Sequence, residues 1–300
     1  MGQDNQSWQQ LANNCHELPV DRNVMGMTSG AWQLSGFGDE IDADPNVQIA
    51  VLQSLGASQI EVRSAWETNV VDLEPEQLSE LAGILEARSM GVSAIASPIG
   101  KVEVSLPVEH EVERLGRAIA AAHALDTKYI RIFSFYNAHD QREAVLVRMR
   151  ALADLAEREG VILLHENEKD IYGDVPSRVL DLIESVGSAS LRVAWDSANF
   201  VQVGVRPFTD AYAILRPHLE YVQVKDAVAA TGEVVPTGEG DGELRETLAA
   251  LRDDGYAGFV SLEPHLIHSD AFGGFSGASA FGLAARAFRD LTDTLGIELA

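Results

Sequence analysis

Basic residues are scarce in this chain: 22 Lys and Arg stand against 46 Asp and Glu, a formal charge of −24. Such a field repels nucleic acid and anionic membranes and favours solubility, which sets a DNA- or RNA-binding role aside. Cysteine is nearly absent. Cys15 alone can form neither an intrachain disulfide nor a cysteine-based zinc site, and it reads as an ordinary thiol in a polar segment. No apolar run approaches the ~18–20 residues of a membrane span. The first residues lack the basic and apolar parts of a signal peptide, so a reduced, cytoplasmic protein is expected. Also missing after any early strand is a G-x-G-x-x-G or G-x-x-x-x-G-K-[ST] fingerprint, which removes the support for a nucleotide-binding sheet.

Apolar residues make up 46% of the chain, enough for a large core. Residues 1–24 are polar and carry little periodicity, and they read as an extension. From residue 25 a rhythm sets in to residue 300, each short apolar run being followed by an amphipathic helix. The predicted strands lie within 30–37, 58–63, 92–96, 128–133, 161–164, 191–195, 221–224 and 258–262. The predicted helices lie near 46–55, 74–90, 107–125, 142–159, 177–186, 209–216, 244–252 and 278–295, the second opening on Pro75-Glu76. Eight strands this apolar, alternating with helices, predict a parallel sheet covered by helices and closed as a single-domain α/β (β/α)8 barrel.

In such a barrel the chemistry lies at the C-terminal strand tips. The fifth strand stops abruptly at His165-Glu166, the sixth at Asp196 and the eighth at Glu263. Three converging carboxylates cost several kcal/mol unless paired or bound to a cation, so they point to a divalent metal site. Oxygen ligands favour Mn²⁺ or Mg²⁺, and Zn²⁺ or Co²⁺ enter if an imidazole joins. Arg63, Lys101, Arg131 and Lys225, in a chain short of cations, read as groups held for an anionic or polyhydroxylated substrate. Glu61, Asn199, His165 and His265 complete the set expected around the substrate, the two histidines as supporting groups rather than primary ligands. Trp32, Trp66, Phe133 and Phe135 are candidates to wall the pocket. Gly238, Gly240 and Gly242 read as shaping a mobile loop over the tips.

With GFGDE (36–40), SPIGK (97–101), RIFSF (131–135), LLHENEKDIYGD (163–174), WDSANF (195–200), VKDA (224–227), GEGDG (238–242) and SLEPHL (261–266), the chain resembles the xylose isomerase-like sugar phosphate isomerase/epimerase superfamily. The resemblance implies a TIM barrel and a cation held by Glu166, Asp196, Gln223 and Glu263. Gln223 stands where the family usually has histidine, and Asn199 replaces the histidine of D-x-x-H; His265 is the imidazole available to stand in. The activity implied is isomerisation or epimerisation of a keto-sugar or its phosphate, with Glu166 and Glu263 moving the proton and Lys225 or Lys101 steadying the oxyanion. A keto-sugar or keto-inositol dehydratase on the same barrel is the alternative. A non-catalytic sugar-binding homologue is another, and an apurinic endonuclease is opposed by the charge and the few histidines. The expected partner is a small-molecule sugar, with no nucleic acid and no membrane. Exposed barrel faces admit a homo-oligomer, with no pattern that sets its size.

Overall fold

A computed structural model describes residues 30–267 and 275–300. The expectations for the extension 1–24 and for Cys15 fall outside these residues. Eight strands form the barrel: β1 Gln33–Gly36, β2 Gln59–Val62, β3 Gly91–Ala96, β4 Tyr129–Ile132, β5 Ile162–Glu166, β6 Leu191–Asp196, β7 Leu219–Val224 and β8 Phe259–Leu262. The sheet order is β1-β8-β7-β6-β5-β4-β3-β2 and every ladder is parallel. A bridge from Phe37 to Glu61 joins the two ends and closes the barrel.

Outside lie α1 Pro45–Ser54, α2 Pro75–Ala87, α3 Val108–Ala124, α4 Arg142–Glu159, α5 Pro176–Val186, α6 Ser197–Gln202, α7 Leu244–Asp253 and α8 Gly277–Leu295. Their starts follow local chemistry. Asp44 caps α1 by accepting from Asn46 N at 2.9 Å, and Gln77 Oε1 accepts from Glu74 N at 3.0 Å at the start of α2. None of the helices among the described residues is long and apolar enough to cross a membrane.

The sixth crossover departs from the predicted helix over 209–216. A wide π turn, Pro207–Tyr212, runs into a single helical turn at Ala213–Leu215 and a 3-10 turn at Arg216–His218. Pro217 lacks the N–H that a continuing helix needs and its ring blocks the preceding turn. The wide turn sets the Tyr212 ring against Trp195 at 6.2 Å and Phe208 at 5.3 Å. The short helix α6 was not foreseen; it starts directly from β6, with Asp196 as its cap.

Strand alternation divides the molecule into two cores. Leu34, Ile60, Ile130, Leu163, Val193, Val222 and Val260 face outward and pack with helix residues such as Leu52, Leu81, Leu152, Leu182 and Phe288. Inside, Tyr129, Leu164, Ala194 and Tyr221 pack with Ile162 and Phe259 and fill the N-terminal half. The barrel therefore has a solid floor, and the carboxylates of the strand tips lie above it. Trp32, expected near the tips, is at the opposite end: its N–H donates to Glu298 O at 2.8 Å and its ring meets Tyr256 at 5.1 Å.

Candidate active site

The site rises from the floor. Tyr221 and Gln223 alternate inward along β7, and both reach Glu61 on β2 across the barrel. Tyr221 donates to Glu61 Oε2 at 2.9 Å and Gln223 Nε2 to Glu61 Oε1 at 3.2 Å. Ser93 Oγ lies 2.8 Å from the Tyr221 hydroxyl and continues the chain to Ser35. Glu61 is fully buried, and burial pushes its carboxyl up to about 7 against the pull of Arg131.

Above this layer stand the acids that the strand ends predicted. Ligand oxygens of Glu166, Asp196 and Glu263 lie within 4.8 Å of one another, all three residues buried, in a group able to hold a metal ion. Asp196 pairs in register with Gln223 on the neighbouring strand. Glu166 Oε2 and Asp196 Oδ2 are buried and held only by ion pairs, and Gln223 Oε1 is buried and accepts no hydrogen bond. A buried oxygen without a donor asks for a cation or an ordered ligand, and the hard oxygens of Glu166, Asp196, Glu263 and Gln223 are of a kind that fits a divalent ion.

Cations already thread the ring. Lys225 Nζ lies 2.8 Å from Asp196 Oδ2 and 3.0 Å from Glu263 Oε2. Arg131 is 3.1 Å from Glu166 Oε2 and 3.8 Å from Glu263 Oε1, its guanidinium resting over the Phe37 and Phe133 rings. Arg63 pairs with Asp39 at 2.7 Å and reaches Glu263 Oε1 at 3.4 Å. Lys101, at the rim, pairs with Glu168 at 3.0 Å and covers Phe133. These four thus reach the tips as expected, and each is engaged with a carboxylate.

Their distribution separates the acids. Burial would raise Glu263, yet Lys225, His265, Arg131 and Arg63 together hold it well below the usual carboxylate range. Burial carries Glu166 up to about 8 against Arg131, and Asp196 up to about 6 against Lys225. Burial would lower Lys225, but Asp196, Glu263 and Glu166 keep it well above its ordinary value.

The two histidines take different places. His265 is at the tips, its N–H donating to Glu40 Oε2 at 2.9 Å and its Nε2 3.8 Å from Glu263 Oε1. Ligand atoms of Glu40, Glu263 and His265 form a second close acidic group. His165 is a correction. It lies on the outer face of β5, with Nε2 2.9 Å from Ser134 Oγ, beside Gly173 and Leu182 of α5. Alternation along β5 turns it away when Glu166 turns in, so it supports the strand and does not face substrate. Burial lowers both imidazoles to about 3, leaving them neutral.

Asn199 is also spent on the protein: Nδ2 donates to Glu166 Oε1 and to Asn167 O, both at 2.9 Å. Sequence reasoning missed several positioning residues. Asn167 exchanges two hydrogen bonds with the Asp196 backbone, at 2.8 and 3.0 Å, locking β5 to β6 at the ring. Its place directly after Glu166 was the available signal. Ser276, which donates to Glu40, and Tyr221, which donates to the expected Glu61, were missed too: each pairing spans more than 150 positions, which no local pattern announces. The glycine loop after β7 also differs from expectation. Rather than hanging free over the tips, it is tied down by Asp226, whose carboxylate accepts from the N–H groups of Gly238, Gly240 and Gly242.

Comparison with known proteins agrees with this architecture. Residues 49–279 match the xylose isomerase-like TIM barrel family. The 2-epi-5-epi-valiolone 7-phosphate 2-epimerase of Actinoplanes sp. SE50/110 is 34% identical over 104 residues, 35% of this chain and 37% of that protein. The match therefore spans little more than a third of the relative's length. Among solved structures, the probable 3-DHS dehydratase AsbF of Bacillus anthracis superposes with a TM-score of 0.69 at 17% identity, covering 86% of this chain and 98% of that one. A xylose isomerase-like TIM barrel protein of Mycobacterium smegmatis in complex with magnesium gives 0.63 at 18% identity, covering 89% and 97%. At these identities the structural likeness is one of fold. With eight parallel strands closed around a ring of acids, and a match over most of its length, the chain belongs to the xylose isomerase-like TIM barrel family.

Proposed function

We propose that the protein is a divalent-cation-dependent isomerase or epimerase that moves a proton beside the carbonyl of a polyhydroxylated ketone. The observation that carries this reading is the set of buried oxygens at the ends of β5 to β8: those of Glu166, Asp196 and Glu263 within 4.8 Å of one another, and that of Gln223 without a hydrogen-bond donor. Hard, all-oxygen ligation favours Mg²⁺ or Mn²⁺ over Zn²⁺ or Co²⁺, which gain most from an imidazole. When bound, the ion supplies polarisation of the carbonyl and charge stabilisation as the proton leaves.

The chain's own residues do the rest. Glu166 and Glu263 come from non-adjacent strands and flank the space at the tips; one removes the proton and the other returns it. Asn199 and Arg131 hold Glu166 in place. Lys225, between Asp196 and Glu263, presents an ammonium to the oxygen that gains charge. The solid floor beneath Glu61 keeps bulk water from entering from below.

Partial identity with a 2-epimerase supports this choice. The same groups would expel water from a substrate with a hydroxyl β to the acidified carbon, and product analysis separates the two outcomes. The test replaces Glu166 and Glu263 separately by glutamine. Each change is expected to slow solvent-deuterium incorporation into a confirmed ketone by about 10²–10⁴-fold. Near-normal turnover by both variants would sink the assignment. Metal analysis of the purified protein is expected to find one tightly held divalent ion.

A further inference from the structure

We infer that Lys225 sets the affinity of the strand-tip site for its divalent ion: its ammonium holds the same carboxylate oxygens that the ion would take, so the two compete and the ammonium moves off when the ion binds. The ion itself rests on the function proposed above. The competition rests on how the oxygens of the three acids are shared out.

Each acid gives one oxygen to the protein frame. Asp196 Oδ1 accepts from Asn199 N at 2.9 Å as the cap of α6, and Glu166 Oε1 accepts from Asn199 Nδ2 at 2.9 Å. Glu263 Oε1 accepts from Arg63 Nη1 at 3.4 Å. The second oxygens meet other side-chain cations. Glu166 Oε2 lies 3.1 Å from Arg131, whereas Asp196 Oδ2 and Glu263 Oε2 lie 2.8 and 3.0 Å from Lys225 Nζ. Asp196 is the residue over which the two cations meet. Its Oδ1 is spent on the helix cap, so the oxygen open to an ion is the one that Lys225 holds. An ammonium and a divalent ion on the same buried oxygens are close neighbours of like charge, and each weakens the other's hold.

The two basic side chains differ in their freedom to yield. Arg131 is fixed in place: its guanidinium donates to Ala96 O and Ser97 O, both at 3.3 Å, and rests over the Phe37 and Phe133 rings. Lys225 is 6% exposed, and among the described residues its ammonium has only these two carboxylates within ion-pair distance. Its four-carbon stem is flexible and its three donors can be re-aimed. Glu168, which already holds Lys101 at 3.0 Å, stands near enough for its charge and that of Lys225 to interact. It gives the released ammonium a partner toward the rim. Lys225 so released is also free to meet the oxygen that gains charge in the proton transfer proposed above.

Lys225→Met removes the charge and keeps an unbranched stem. Chelator-treated parent and variant, both checked by circular dichroism, are titrated calorimetrically with MgCl₂ and MnCl₂. The variant is expected to bind each ion at least about tenfold more tightly than the parent. An equal or weaker affinity in a folded variant overturns the inference but leaves the ion in place, because a lysine that merely supported the ligands would weaken binding when lost. Binding by the variant alone supports the competition and removes the ion from the parent's proposed chemistry. No binding by either, or by the parent where the variant does not fold, overturns both readings. A crystal of the parent soaked in MnCl₂ gives a measurement independent of the variant's folding. With Mn²⁺ bound, Lys225 Nζ is expected beyond hydrogen-bond reach of Asp196 Oδ2, further than about 3.2 Å. Mn²⁺ held at the three acids with that contact intact overturns the inference.

Discussion

A carboxamide has an accepting end and a donating end, and at Gln223 the surroundings choose between them. Glu61 takes Nε2 at 3.2 Å, so Oε1 turns the other way, buried and without a donor. Glu61 is itself steadied by the Tyr221 hydroxyl, whose pKa burial raises far above the ordinary value, keeping it a donor. A neutral oxygen thus occupies the place of the family's imidazole, with its orientation set from below. Removing Glu61 as Glu61→Ala is expected to weaken divalent-ion binding by about 10–100-fold, the usual effect of losing a partner that orients a ligand. Gln223→His is expected to shift preference from Mg²⁺ toward Zn²⁺. Calorimetric titration of both variants measures this; an unchanged Kd for Glu61→Ala would show that the pairing does not orient a ligand.

Each strand carries two instructions at once. In β4 the sequence Tyr129-Ile130-Arg131-Ile132 sends two isoleucines to the helices, a tyrosine to the floor and an arginine to the ring. Reading β5 the same way places Glu166 inward and His165 outward, so the histidine's role was legible from period-two alternation. The loops were less so. The three glycines after β7 announce a special backbone, but only the fold shows Asp226 as the group they enclose. Gly242→Ala is expected to cost about 1–3 kcal/mol, because its Cβ meets Asp226 Oδ1 at 2.6 Å and Ser197 Cβ at 3.2 Å. Thermal or denaturant melts check it, and an unchanged midpoint would mean that the loop yields easily.

Across the whole molecule, a floor of packed aromatics under a ring of acids makes stability depend on pH. Burial pushes Glu40 and Glu166 up to about 8 and Glu61 up to about 7. In the unfolded chain glutamates ionise near about 4.3, so between these values the folded state holds protons that the unfolded state has lost. That stabilisation is complete below about pH 4 and is lost as pH rises through 7 to 8. His165 and His265 act oppositely at lower pH. Burial depresses both to about 3, so stability rises with pH until free histidines lose their protons near about 6.5. Above about pH 6.5 the carboxyl groups dominate, and chelator-treated protein is expected to melt several degrees lower near pH 8.5. Mg²⁺ is expected to narrow that difference, since it binds the ionised form of Glu166. A melting temperature that stays flat or rises over this window, without metal, contradicts the account.

Architecture was the part written locally. Apolar runs, helix periodicity and caps are short-range properties, and eight repetitions of one unit leave a closed parallel barrel as the way to cover both faces of the strands. That same rhythm located Glu166, Asp196 and Glu263, because an apolar strand that stops at an acid marks its own tip. Which groups touch could not be read this way. Lys225 between Asp196 and Glu263, Gln223 turned by Glu61, and Asp226 wrapped by glycine N–H groups are set by strand tilt and cross-barrel distance. Those quantities exist only after closure, and they decide whether a cation at the tips is free for a ligand or already neutralised by the chain.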